Sequence, residues 1–276
     1  MQMRVSLSAL VVASLLGVLS AWAGEAPPTV EVVVVLAGGQ QVEGMLIEGS
    51  KDGTLKIKNP HGENTFTRSQ WIEVRAKQRP KEFGIAEHRL ANKQFDSAAK
   101  KYQEIYETYA PLYIFGAEAL DGKACALMSL DKYDDALAVY GQLFRQYAGA
   151  DLSYARRYRY AVCLGKVGGE KNLDRAVEQL EAIVALTDDV LTVRALDQLG
   201  RIHYGNKKYY LALRSFLQLY ILYRGYGGEG AEEVRGLVAS ARGNAIACCE
   251  KLMKSSDASI KRRVETIKAR LERAGD

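Results

Sequence analysis

Four segments of the chain set an alanine and a bulky apolar residue four positions apart, all in one phase: Ala98 with Tyr102, Ala136 with Tyr140, Ala176 with Leu180, and Ala212 with Phe216. On an α-helix such a pair shares one face, a single turn apart. The alanine lets a second backbone come close, and the larger residue fills the wedge that opens beside it. The alanines follow one another at steps of 38, 40 and 36 residues. A chain that repeats this demand four times must build one helix pair four times and stack the copies, because no single pair buries its own apolar face.

The surrounding residues fill in each pair. In the first, from Phe83 to Tyr109, Ala86 takes the small position of the first helix, Phe95 begins the second, and Ala98, Tyr102 and Ile105 form its inner stripe. The second repeats this with Ala124, Tyr133, Ala136, Tyr140 and Leu143. The third carries Ala161, Leu164, Leu173, Ala176, Leu180 and Ile183, with residues 168–171 reading as an insertion in its turn. The fourth copy is the fullest: Leu196, Leu199, Gly200, His203, Tyr204, Tyr209, Ala212, Phe216 and Leu219. This spacing resembles the tetratricopeptide repeat over about 170 to 190 residues, with steps a little longer than the family's period of about 34. The excess falls in the connections around residues 110–115 and 148–153. A helix from Ala231 to Met253 and a polar one from Ser259 to Arg273 are expected to cap the stack.

Ahead of the helices the period changes to that of strands. Val30–Leu36, Val42–Ile47, Leu55–Lys58, Thr65–Thr67 and Trp71–Val74 are separated by turn residues such as Gly38-Gly39, Asp52-Gly53 and Pro60-His61-Gly62. So short a region must curl its sheet to enclose a core, and it resembles an SH3-like or Sm-like small barrel, with Gly44 at a strand bend. The expected fold is therefore mainly α: a TPR-like α-solenoid of helix hairpins preceded by a small all-β barrel-like domain. The units are residues 30–79 for the β domain, 81–250 for the repeats and 251–276 for a basic capping helix.

The first residues predict export. Arg4 supplies a positive start, Val5 to Ser20 an apolar run, and Ala21-Trp22-Ala23 a cleavage signal before Gly24. Residues 1–23 thus read as a signal peptide and 24–29 as a linker, with a soluble product in the periplasm or outside the cell. No cysteine follows the cut to carry a lipid. Of the four cysteines, Cys248 and Cys249 are adjacent, and burial as free thiols is the reading for Cys125 and Cys163. A bridge between those two is the one pairing that successive helix pairs would bring together.

Nothing in the sequence announces catalysis. Residues 225–230 match G-x-G-x-x-G, but they follow a helix rather than a strand and read as a loop. His61, His88 and His203 stand apart, so no metal and no cofactor is expected. Acidic and basic residues balance in the β domain, which argues against nucleic acid. The basic excess lies in the last helix, where Lys251 to Arg273 holds eight basic residues against three acidic ones. Peripheral contact of Lys261, Arg262 and Arg263 with an anionic membrane is one alternative function; an enzyme or accessory subunit with its site in the β domain is another.

The resemblance implies a different principal activity, binding a protein partner on the concave face that the first helices line, as in bacterial periplasmic repeat proteins of envelope assembly. The residues on those helices that fit a binding surface are Asp121, Tyr158, Asp197, Arg201 and Tyr204. Tyr158 belongs to the basic and aromatic run Tyr154 to Tyr160, and Arg and Tyr are favoured anchors of interfaces.

Overall fold

A computed structural model of the protein describes residues 29–49, 52–110, 112–147, 153–254 and 257–274. The expectations for the signal peptide, most of the linker and the connection at 148–152 lie outside them. Five strands come first: β1 (Val30–Leu36), β2 (Gln41–Gly49), β3 (Leu55–Asn59), β4 (Gly62–Phe66) and β5 (Trp71–Ala76). They form one antiparallel sheet in the order β4-β3-β2-β1-β5. β1 lies between β2 and β5, and its alternate valines, Val32 and Val34, are fully buried. The register shifts between Val35 and Leu36 and between Leu46 and Glu48, bulges that bend the sheet. At Gly44 the strands come so close that a Cβ would sit 2.6 Å from the Lys58 carbonyl oxygen.

The buried face of this sheet has no separate core. Val32, Val34, Leu46, Leu55, Ile57 and Trp71 belong to one apolar cluster with Phe83, Ala98, Tyr102 and Phe115 from the helices. Phe83 links the two parts, with its ring 6.5 Å from that of Tyr102 and 5.7 Å from that of Phe115. The Arg79 guanidinium stacks over Phe83 and pairs with Glu87 and Glu118. The sheet therefore covers the apolar end that the first helix pair would otherwise expose.

Among the described residues ten helices follow as five pairs: α1 (Lys81–Ala91) and α2 (Phe95–Tyr109), α3 (Tyr113–Met128) and α4 (Tyr133–Gln146), α5 (Tyr154–Val167) and α6 (Glu170–Leu186), α7 (Val190–Gly205) and α8 (Tyr209–Tyr223), α9 (Ala231–Leu252) and α10 (Ala258–Arg273). The repeat alanines Ala98, Ala136, Ala176 and Ala212 are all fully buried. Three of the hairpin turns share one device: Lys93, Asp131 and Lys207 adopt left-handed backbone, with φ of 59°, 57° and 60°. The third pair turns instead on Gly168 and Gly169. Glu170 and Lys171, expected in that turn, belong to α6, which starts a helical turn earlier than its counterparts. The G-x-G-x-x-G segment is the loop between α8 and α9.

The apolar core divides along the chain as a stack requires, with separate clusters spanning α3–α4, α5–α7 and α7–α10. Gly200 of α7 shows how tight the pairing is, because a Cβ there would lie 2.4 Å from the Phe216 ring of α8. All four cysteines sit in helices as free thiols, Cys163, Cys248 and Cys249 buried and Cys125 partly so. Burial pushes Cys163 and Cys248 up to about 12 and Cys249 up to about 11.

Two outcomes follow from this packing. Gly200→Ala is expected to lower stability by about 1–3 kcal/mol through overpacking, although alanine is the better helix former. Gly236→Ala on the open side of α9, where a Cβ meets nothing within 4 Å, raises it by about 0.5–1 kcal/mol; thermal unfolding of both variants beside the parent reads the opposite signs. Intact mass is expected to be the same with and without reductant, and the three buried thiols should alkylate slowly until the chain is unfolded.

Candidate functional site

The helices form two layers of unequal spacing. Successive first helices touch, α3 with α5, α5 with α7 and α7 with α9, and they meet more closely than the second helices α2, α4, α6 and α8 meet each other. The first-helix layer is the tighter one, so it is the inner face of the stack. All five residues expected to bind lie on it by sequence position, and the structure divides them into three groups.

Asp121 is engaged within the protein. Its carboxylate accepts from Arg159 Nη2 at 2.9 and 2.7 Å, from Arg156 Nε at 3.2 Å, and from the Tyr140 hydroxyl at 3.2 Å. Arg159 Nε donates to that same hydroxyl at 3.1 Å. Burial drives the Tyr140 phenol far above the usual tyrosine range, so it stays neutral and can donate and accept at once. Asp121 on α3, Tyr140 on α4 and Arg159 on α5 thus fasten the second pair to the third. A carboxylate with its acceptor positions filled in this way is a poor ligand for anything else.

Tyr158, Asp197 and Arg201 are brought together between α5 and α7. Burial is the largest cause holding the Tyr158 phenol above its ordinary value, and the charges of Arg194, Asp197, Glu233 and Arg201 all act on it. Arg201 Nε donates to Asp197 Oδ2 at 2.6 Å, one turn along α7, while Arg201 itself remains 55% exposed. Asp197 Oδ1 is buried and has no hydrogen-bond partner among the described residues. Such unmatched groups are uncommon in a protein interior and carry a cost of about 1–3 kcal/mol each.

Tyr204 belongs elsewhere. Its ring meets Tyr209 edge-on at 5.4 Å, closing the tip of the α7–α8 hairpin. Sequence reasoning passed over Arg194 and Glu233, which join α7 to α9 by paired bonds of 2.6 Å, and Gln198. The signal was present, since Arg194, Gln198 and Arg201 recur at helical spacing with Asp197. Beside them a cleft of about 350 Å³ opens between α5 and α7, lined by Gly165, Lys166, Gln198, Arg201, Ile202 and Asn206. Among the described residues no three His, Cys, Asp or Glu side chains converge as a metal site.

Removing the Asp121 carboxylate with Asp121→Ala leaves Arg159 half-buried and unpaired, so stability is expected to fall by about 1–3 kcal/mol. Arg201→Ala removes a cation whose bond to Asp197 is made from an exposed arm, so the loss is expected to be smaller, about 0–1 kcal/mol; chemical denaturation of the two variants compares the network at Asp121 with the single pair at Asp197.

No family model matches the chain, and no curated protein matches it. Among solved structures it is similar to the TPR-like repeats of a putative kinesin light chain from Podosopora anserina, with 15% identity and a TM-score of 0.50 over 70% of this chain and 95% of that one. It is also similar to BtubC from P. vanneervenii, with 14% identity and a TM-score of 0.50 over 70% of this chain and 79% of that one. At such identities the likeness is one of fold, and that fold is a stack of TPR-like helix pairs.

Proposed function

We propose that the protein is a non-catalytic scaffold of the cell envelope, exported by its N-terminal segment, that holds a segment of another protein along the inner layer of α5, α7 and α9. The observation that carries this reading is the unmatched Asp197 Oδ1 beside Tyr158 and the exposed Arg201. A bound chain has backbone N–H groups and side-chain donors that complement such a carboxylate once Tyr158 and Arg201 shift to admit it. The surrounding surface suits a polypeptide: an aromatic body, exposed guanidinium and amide groups, and a cleft too open to enclose a small molecule. The TPR-like fold supports it because stacked helix pairs present a long continuous face. The bent sheet is read as a small barrel whose role is to end the stack at α1.

A photo-crosslinking residue in place of Gln198, used in growing cells, is expected to trap one predominant partner from the envelope fraction. Tyr158→Ala combined with Arg201→Glu should abolish that adduct, with a far-UV circular dichroism spectrum like that of the parent showing that the helices are still folded. An unchanged adduct in the double variant would falsify the assignment of this face.

A further inference from the structure

The second helices can be compared position by position, because Phe95, Tyr133, Leu173 and Tyr209 enter them in one register. One residue on, α2, α4 and α6 place Asp96, Asp134 and Asp174, whereas α8 places Tyr210. Further along, Glu107 and Arg145 correspond to Ile221, and Thr108 and Gln146 correspond to Leu222, while α6 places Ala185 and an exposed Leu186 there. These α8 positions face outward: Tyr210 is 70%, Ile221 58% and Leu222 64% exposed. An outer helix of a stack ordinarily carries polar residues there. α8 carries no acidic side chain at all, and its outer ridge exposes apolar residues at both ends, Tyr210 and, about 18 Å along the helix, Leu222, with the exposed Arg214 between them.

The ridge continues into an apolar groove of about 320 Å³ between α8 and α10, walled by Leu217, Tyr220, Ile221 and Ile267, with Arg224 and Arg270 also lining it. The gap between α6 and α8 is mixed instead, with Glu181, His203, Arg214 and Gln218 beside Val184 and Leu211. Arg214, Arg224 and Arg270 make no ion pair among the described residues. Lys261, Arg262 and Arg263 on α10 are exposed as well.

We propose that the outer face of α8, together with the basic flank of α10, docks on an anionic phospholipid bilayer. Exposed Tyr, Leu and Ile side chains ringed by unpaired cations are what the headgroup boundary of such a bilayer accommodates. A second copy of this chain would bring the same arginines against one another. A single partner helix lying in the groove would cover its walls and leave Tyr210 and Leu222 in water. A flat anionic surface covers the ridge and meets the cations together.

The test is sedimentation of the full chain with vesicles of phosphatidylcholine alone, and of phosphatidylcholine with about one-third phosphatidylglycerol. Binding to the anionic vesicles is expected to exceed that to neutral ones, to fall with added salt, and to drop about tenfold or more in Ile221→Glu with Leu222→Glu. Both replaced side chains are exposed, and an unchanged unfolding midpoint shows that the variant is folded. Arg224→Glu with Arg270→Glu should remove the preference for anionic lipid. Undiminished binding of the first double variant overturns the proposal, as does absence of binding to both vesicles. A vesicle-free dimer that the same substitutions split, or an acidic helical peptide that the groove binds in place of the vesicles, also overturns it.

Discussion

The separation between paired helices sets every other distance in this molecule. Where Ala98, Ala136, Ala176 and Ala212 meet their partners the backbones approach as far as one methyl group allows, and at Gly200 even that methyl is absent because the Phe216 ring fills its place. Hairpins of this uniform thickness stack at a regular rise, which brings α3, α5, α7 and α9 into contact. The inner-layer bonds from Asp121 to Arg159 and from Arg194 to Glu233 span adjacent pairs only because that rise is kept. A side chain's volume at a few small-residue positions therefore controls polar geometry two helices away.

Polar residues on the inner layer serve two ends. Those between the second and third pairs satisfy one another, and Tyr140 completes the set by donating to Asp121 while accepting from Arg159. Between the third and fourth pairs the set is left incomplete at Asp197, whose Oδ1 has no partner among the described residues. Burying a carboxylate oxygen with no donor opposes folding, and a structure that keeps one tolerates a local cost that an added ligand can relieve. The two junctions, built from the same residue types, thus differ: one satisfies its polar groups and the other keeps an unmatched carboxylate oxygen.

The outer layer shows a comparable contrast. α2 and α4 are polar where they face water, whereas α8 exposes Tyr210, Ile221 and Leu222 and α6 exposes Leu186. Internal repeats make this visible without reference to any other protein, since the same register is sampled four times in one chain. The basic excess at the end of the chain, diffuse when read as a number, becomes specific once Arg224 and Arg270 are seen to line one apolar groove.

The helix pairs, their order, the five strands and the loop between α8 and α9 were all legible in the residues. Each depends on local periodicity, on alanine and aromatic one turn apart or on valines alternating about a turn. Which inner-layer side chains face each other was decided only in three dimensions. Asp121 and Asp197 look alike in sequence, each an acid on a first helix, yet one is saturated by two arginines and a tyrosine and the other keeps a bare oxygen. Tyr204 shares the helical stripe of Asp197 and Arg201 but turns onto Tyr209 at the hairpin tip. The sharing of one core by the sheet and the first helix pair was likewise hidden. Periodicity records which face of an element is buried, whereas partners across pairs depend on the rotation of one hairpin against the next, which packing of the whole stack sets.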